Sequence, residues 1–275
     1  MGDPELIWFR DLFDEILEYK RHTLFYDVLV PWIEKANIAI AELSRFRHRL
    51  PYDHEDEAAQ LAMWNLYALS RVNDVLLGSF QSKQNDPSPK RQVTAEEYAA
   101  FFSQIGFTVI ERDRYSPFYH EIVRVHQSKG IGDPIGVLEQ HWPSLMFGNM
   151  LFSRSGVEVI GGRQHVVKEI AEQSVLYFTF WRVNRKTFDQ SNGWGHNSQW
   201  RTNFRRDYES EGTWFYNVDG RNSLNAPKDS ELDQEDGLTL EQRIELCRNR
   251  CFVITSADDD DLYPFNERFE EEMIL

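Results

Sequence analysis

Residues 81–93, QSKQNDPSPKRQV, are polar, carry two prolines and show neither a helical nor a strand period, so they read as a linker or long exposed loop. The pattern differs on its two sides. Upstream, Asp3-Pro4 reads as an N-cap and first helical position, and Leu6, Phe9, Phe13 and Ile16 mark one face of a helix to about Lys20. A second apolar series, Ile33, Ala36, Ile40, Leu43 and Phe46, follows Pro31, which should break or kink a helix entering from residues 24–30. A third helix fits residues 55–79, with Ala58, Leu61, Ala62, Leu69, Val72 and Leu76 on one stripe and Gly78 near its end. Residues 1–80 therefore read as a bundle of three or four helices.

Downstream, Thr94 and Glu97 form a capping box for a short helix that Gly106 ends. Residues 107–111, 119–125, 136–140, 157–160 and 175–183 are then β-branched or aromatic runs separated by Gly, Pro or Ser, the pattern of strands. Helical spacing returns at Val166, Val167, Ile170 and Ala171 and again over residues 238–249, where Thr239 and Gln242 offer a second capping box. Cys251–Thr255 (CFVIT) reads as a final buried strand. The expectation is an α+β architecture: a helical region (1–80), the linker (81–93), and a mixed, sheet-centred part (94–275). That last part ends in a helix and strand, with an acidic C-terminal segment returning to the sheet.

The chain has 275 residues, 41% of them hydrophobic and 14% aromatic, enough for a sizeable core. No run approaches the roughly 18 apolar residues of a membrane span, and MGDPELIWFRD has acids where a secretory signal has bases. A soluble cytoplasmic protein with no membrane partner is expected. The cysteines, Cys247 and Cys251, are too few for a disulfide framework and lack companion ligands for zinc, so both read as reduced and buried.

The net charge of −15 is unevenly spread. Residues 229–275 hold fifteen acids against four arginines, a net of −11, whereas residues 182–206 hold six basic residues and one acid, a net of +5. An acidic tail repels nucleic acid and membrane surfaces, and it can attract a basic protein or fold back on the chain's own basic segment.

The catalytic motifs are incomplete. His120-Glu121 lacks the second histidine of a zinc protease, since Arg124 stands where it is needed. In a regular strand His120 and His126 share a face about 20 Å apart, too far to hold one metal. Gly161-Gly162 lacks the rest of a phosphate loop and reads as a tight turn; Ser153-Arg154-Ser155-Gly156 lacks the leading glycine of a nucleophile elbow. Asp53-His54-Glu55-Asp56 precedes a helix, where carboxylates cap and favour the dipole. No metal or cofactor is implied.

One segment resists a periodic reading: residues 188–208, FDQSNGWGHNSQWRTNFRRDY. In an enzyme or small-molecule reading, His196 is the acid or base, Arg201 and Arg205 clamp a phosphorylated or carboxylated substrate, and Asp207 orients the histidine. Trp194, Asn197, Gln199, Trp200 and Arg206 then line the ligand. In a structural reading the tryptophans plug the core and the arginines pair with the acidic tail. Missing catalytic motifs and the charge asymmetry put first a non-enzymatic, acidic protein-binding protein, in the manner of an immunity or antitoxin protein that neutralises a basic partner. The enzyme or small-molecule binder is the alternative. A pI near 5.0 counts against nucleic acid, and oligomeric state is not legible.

Overall fold

The computed structural model describes residues 8–50, 53, 55–81, 93–189, 200, 202–226, 237–259 and 261–273. Its order is N-terminal helices, a sheet-centred middle, and a C-terminal helix and strand, an α+β arrangement. Helix α1 (Trp8–Glu18) buries Phe9, Leu12, Phe13 and Ile16. Through residues 25–35 the chain stays helical. A π-type turn (Phe25–Leu29) gives way to α2 (Val30–Lys35), with Pro31 in its first turn, where a missing N–H costs nothing. Next come α3 (Asn37–Leu43) and α4 (Glu57–Leu77), the latter N-capped by Asp56, whose carboxylate accepts from the N–H groups of Ala58 and Ala59. The Thr94/Glu97 capping box opens α5 (Ala95–Gln104) as expected, and Gly106 follows it at φ +94°.

Helix α4 is buried on more than one stripe, because α1 and α3 flank it and the largest hydrophobic cluster surrounds it. That cluster joins α1 and α4 to Trp142, Leu145, Phe147, Met150, Phe152, Phe204 and Tyr208 from beyond the 81–93 segment. Three polar residues of α4 are buried and each is tied to a different element. Asn65 accepts from the Trp8 N–H; Asn73 bonds Ser153 Oγ and the Tyr98 hydroxyl; Asp74 accepts from the Phe180 N–H.

Among the described residues twelve strands and a short helix, α6 (Lys168–Ala171), follow. A seven-stranded sheet runs β1 (Thr108–Ile110), β4 (Ser144–Phe147), β5 (Met150–Ser153), β9 (Asp207–Ser210), β10 (Thr213–Tyr216), β12 (Glu267–Glu272), β11 (Asn222–Ser223). A second sheet runs β2 (His120–Gln127), β6 (Ser155–Gly161), β3 (Gly136–Trp142), and β7 (Leu176–Tyr177) pairs with β8 (Thr187–Phe188). β3 continues into β4, and β5 into β6, so one hairpin passes from the small sheet to the large one at Pro143 and Arg154. At that crossing the Trp142 indole donates to the Arg154 carbonyl at 2.8 Å and lies over Gly156, where any Cβ would meet its ring at 2.3 Å.

Three local expectations need correction. Residues 175–183 form only the two-residue β7; beyond it Phe178 turns at φ +58°, and Arg182 swings inward to Asp74 and Glu121. CFVIT is not a strand. Its N–H groups at Val253, Ile254 and Thr255 all donate to the carboxylate of Glu245, on helix α7 (Leu240–Asn249), as does the Thr255 hydroxyl. One side chain thus satisfies donors that a neighbouring strand would otherwise take. Finally, a bulge at Val123 shifts the β2 register, so His120 is buried while His126 reaches solvent, and the two do not share a face.

Glu245→Ala should therefore lower the unfolding free energy by about 3 kcal/mol or more, because several donors lose a charged acceptor. Thr239→Ala, which removes one cap of the same helix, should cost about 1 kcal/mol. Denaturant midpoints measure both, and a Glu245 loss no larger than the Thr239 loss would contradict this account of the 253–255 loop.

Candidate functional site

The basic segment delivers one of its arginines, Arg205, to a buried charge cluster. Asp207, at the start of β9, is fully buried, and three guanidiniums reach it from separate parts of the chain. Arg205 Nε lies 2.8 Å from Oδ1, Arg250 Nη2 lies 2.9 Å from Oδ2, and Arg154 Nη2 lies 4.0 Å from Oδ2; the Asn217 N–H adds a bond to Oδ1 at 2.7 Å. Other donors of these arginines meet the C-terminal end of α7 and the loop beyond it. Arg205 donates to the Cys247 carbonyl and to the Tyr263 hydroxyl, and Arg154 donates to the carbonyls of Arg248 (2.7 Å) and Asn249 (2.8 Å). Those carbonyls are the negative end of the helix dipole, so cations are favoured there.

Burial works to raise the Asp207 carboxyl, but the charges of Arg205, Arg250 and Arg154 overcome it and hold the group at about 2. Arg205, with three hydrogen-bonded acceptors, is shifted upward despite burial. Arg250 is pulled the other way. Burial lowers it to about 10, with Asp207 opposing and Arg205 and Arg154 adding, and its Nε has no hydrogen-bond partner among the described residues. It also caps α7 in the left-handed region at φ +60°, where glycine is the usual residue.

A second cluster adjoins the first. Arg182 donates to Asp74 Oδ1 (2.6 Å) and, through Nε and Nη2, to both oxygens of Glu121. Arg71 pairs with Asp189 at 2.9 Å. Two narrow clefts run between these groups, sharing Ser70, Phe178, Phe204 and Arg250. Each has room for about one or two water molecules, too little for a metabolite. Around them five arginines (71, 154, 182, 205 and 250) face four carboxylates (74, 121, 189 and 207) and the helix carbonyls, so the charge nearly closes without a ligand.

The structure places the residues singled out from sequence as follows. Arg205 and Asp207 sit in the buried hub. Arg206 is also buried, gripping Asp219 with Nε at 2.8 Å and Nη2 at 2.5 Å and the Leu50 carbonyl with Nη1 at 3.1 Å. Their carboxylate partners come from β9 itself and the loop after β10; the acidic tail contributes the Tyr263 hydroxyl. The tail's own carboxylates are held by other cations, Glu267 by Arg243 and Glu271 by Arg248. Trp200 is half-buried against Phe13 at 4.9 Å and under the Arg71 guanidinium at 4.6 Å. His196, Arg201, Trp194, Asn197 and Gln199 lie outside the described residues. Sequence reading missed Arg154, Arg182, Arg250, Asp74 and Glu121 as members of a site: Asp74 lies in α4, Glu121 in β2 and the arginines outside regular elements, and they converge only in three dimensions.

Neither cysteine presents a reactive thiol: burial pushes Cys247 up to about 12 and Cys251 upward as well. His120 is buried, accepts the Ser116 N–H on Nδ1 at 2.9 Å and stacks on Tyr115. Burial lowers it to about 4. Among the described residues, Glu139, His141 and Glu158 form a group with the makeup to hold a metal ion. Comparison with protein-family models, curated proteins and solved structures finds no match to this chain.

Two outcomes follow for stability. Because the folded His120 binds its proton more weakly than the unfolded chain does, stability is full above about pH 6.5 and falls, by about 3 kcal/mol, as pH drops to about 4. His120→Gln, which keeps an acceptor for Ser116, should flatten that part of a pH series of denaturant melts. Asp207→Asn should cost about 3–5 kcal/mol at neutral pH by stranding buried guanidiniums. The wild-type contribution of Asp207 should fade only below about pH 4, as pH falls from the carboxyl's ordinary value of 3.8 toward 2.

Proposed function

We propose that this protein is a cytoplasmic, non-catalytic binding protein whose exposed carboxylates engage a basic protein partner, in the manner of an immunity or antitoxin protein. What supports the reading is where the charge sits. Six arginines and seven carboxylates are buried among the described residues, so the interior is nearly neutral and almost the whole net charge of −15 falls to the rest of the chain. Helix α1 illustrates the division. Its apolar side packs on α4, while Asp11, Asp14, Glu15 and Glu18, one and two turns apart, all face solvent. Among the described residues no helix is long and apolar enough to cross a membrane.

A second reading, a binder of a small carboxylate or phosphate, draws on Arg154 Nε and Arg250 Nε, which are buried at the clefts without hydrogen-bond partners among the described residues. The near-neutral charge of that cluster and its narrowness favour the first.

Native mass spectrometry of the protein purified gently from its source at about 0.15 M salt separates the two. The expected result is a stoichiometric basic protein that dissociates as salt rises. A variant carrying Asp11→Lys, Asp14→Lys, Glu15→Lys and Glu18→Lys should keep its circular dichroism and melting temperature and lose about tenfold or more in affinity for that partner. A retained small anion with no protein, or a partner whose affinity ignores both salt and the four substitutions, would overturn the reading.

A further inference from the structure

The bulges that disrupt the small sheet also build a cluster on its solvent side. β3 brings Glu139 and His141, β6 brings Glu158, and β2 brings Arg124 and His126. Register sets Glu158 opposite both Arg124 and Glu139, so the central strand's carboxylate stands between the two edge strands. Its side chain is 8% exposed, whereas those of Glu139, His126 and Arg124 are about half exposed or more. His126 Nε2 lies 2.7 Å from Oε2, Arg124 Nη1 lies 2.9 Å from Oε1, and His141 Nε2 lies 3.3 Å from the same Oε1. On the other side of the His141 ring, Nδ1 lies 3.8 Å from Glu139 Oε1.

The geometry points to a binding site for a divalent transition-metal ion of the zinc type, with Glu139, His141 and Glu158 as ligands. Their donor atoms lie within 4.8 Å of one another, close to the spacing around a four-coordinate ion whose bonds are about 2.0–2.2 Å, and the exposed Glu139 closes the difference by rotating. Imidazole together with carboxylate selects zinc, nickel, cobalt or copper over magnesium or calcium, which take oxygen alone. His126 positions: bonded to Oε2, it fixes the Glu158 carboxylate so that Oε1 faces His141. Arg124 is the competitor, because its guanidinium occupies Oε1 and has to swing into solvent when a metal arrives. Three protein ligands leave a fourth position for water or for a group from another molecule. This site is independent of the acidic-surface reading and stands or falls separately.

The test is calorimetric titration of the full chain with zinc chloride, paired with the visible absorption of cobalt(II), whose d–d bands report four-coordination. One ion per chain with micromolar affinity is expected. His141→Ala should weaken binding about tenfold or more, and Arg124→Ala, which removes the competitor, should tighten it. Because Glu158 is nearly buried and its replacement threatens the sheet, Glu139→Gln at the exposed ligand serves as the second variant and should also weaken binding. Binding absent at millimolar zinc, or unchanged in His141→Ala and Glu139→Gln, would overturn the site and assign any residual uptake to histidines elsewhere.

Discussion

Asp207 is the charge on which the interior depends. A carboxylate taken out of water is expensive to bury, and three guanidiniums are more so; what makes the arrangement stable is that each is charged in the presence of the others and hydrogen-bonded besides. The geometry also makes the hub an organiser. Arg154 comes from the point where β5 becomes β6, Arg205 and Asp207 from the start of β9, and Arg250 from the end of α7. The crossing between the two sheets, the middle of the large sheet and the C-terminal helix are thereby fixed to one atom group. None of the three can shift without exposing an unpaired charge to an apolar surround. The left-handed Arg250 fits this logic: the backbone accepts an unfavourable conformation because its side chain is needed at Asp207.

The buried polar side chains of α4 work at a second level. An all-apolar central helix could rotate among its neighbours, since Leu, Val and Ala contacts are interchangeable. Asn65, Asn73 and Asp74 remove that freedom by specifying α1, β5 and the 180 segment as partners, each through a directional bond. Arg206 and Tyr208 act similarly from the start of β9, reaching the carbonyls of Leu50 and Phe46 between α3 and α4. Polar groups set the register here, and the aromatic contacts among Phe102, Phe107, Phe147 and Phe152 fill the space that register defines.

What could be read from sequence was whatever is decided within a few residues. Both capping boxes, the Asp56 cap, the solvent and core faces of α1, and strands β1, β2, β3 and β6 are local in this sense. CFVIT failed as a strand because its donors are claimed by Glu245, a residue whose own helical context gives no sign of that role. The strand parity of His120 and His126 failed because a bulge is invisible to a period-two count. β12, with the sequence ERFEEE, carries no apolar alternation, yet it lies in the large sheet because Arg243 and Arg248 neutralise two of its glutamates. For the site, the basic segment announced Arg205, Arg206 and Asp207, but Arg154 and Arg250, nearly a hundred residues apart, had no local signal.

The separation of roles bears on function. Arginines that end in buried pairs are committed to the fold, so their substitution changes stability first and any binding only as a consequence. Surface carboxylates such as those of α1 are in the opposite position: the helix is anchored by Phe9, Leu12, Phe13 and Ile16, and among the described residues its acids make no ion pair. Mutual repulsion at one-turn spacing costs each such pair a few tenths of a kcal/mol. In the proposed reading a basic partner would supply the counter-charge, converting that repulsion into association free energy and into faster encounter at low salt.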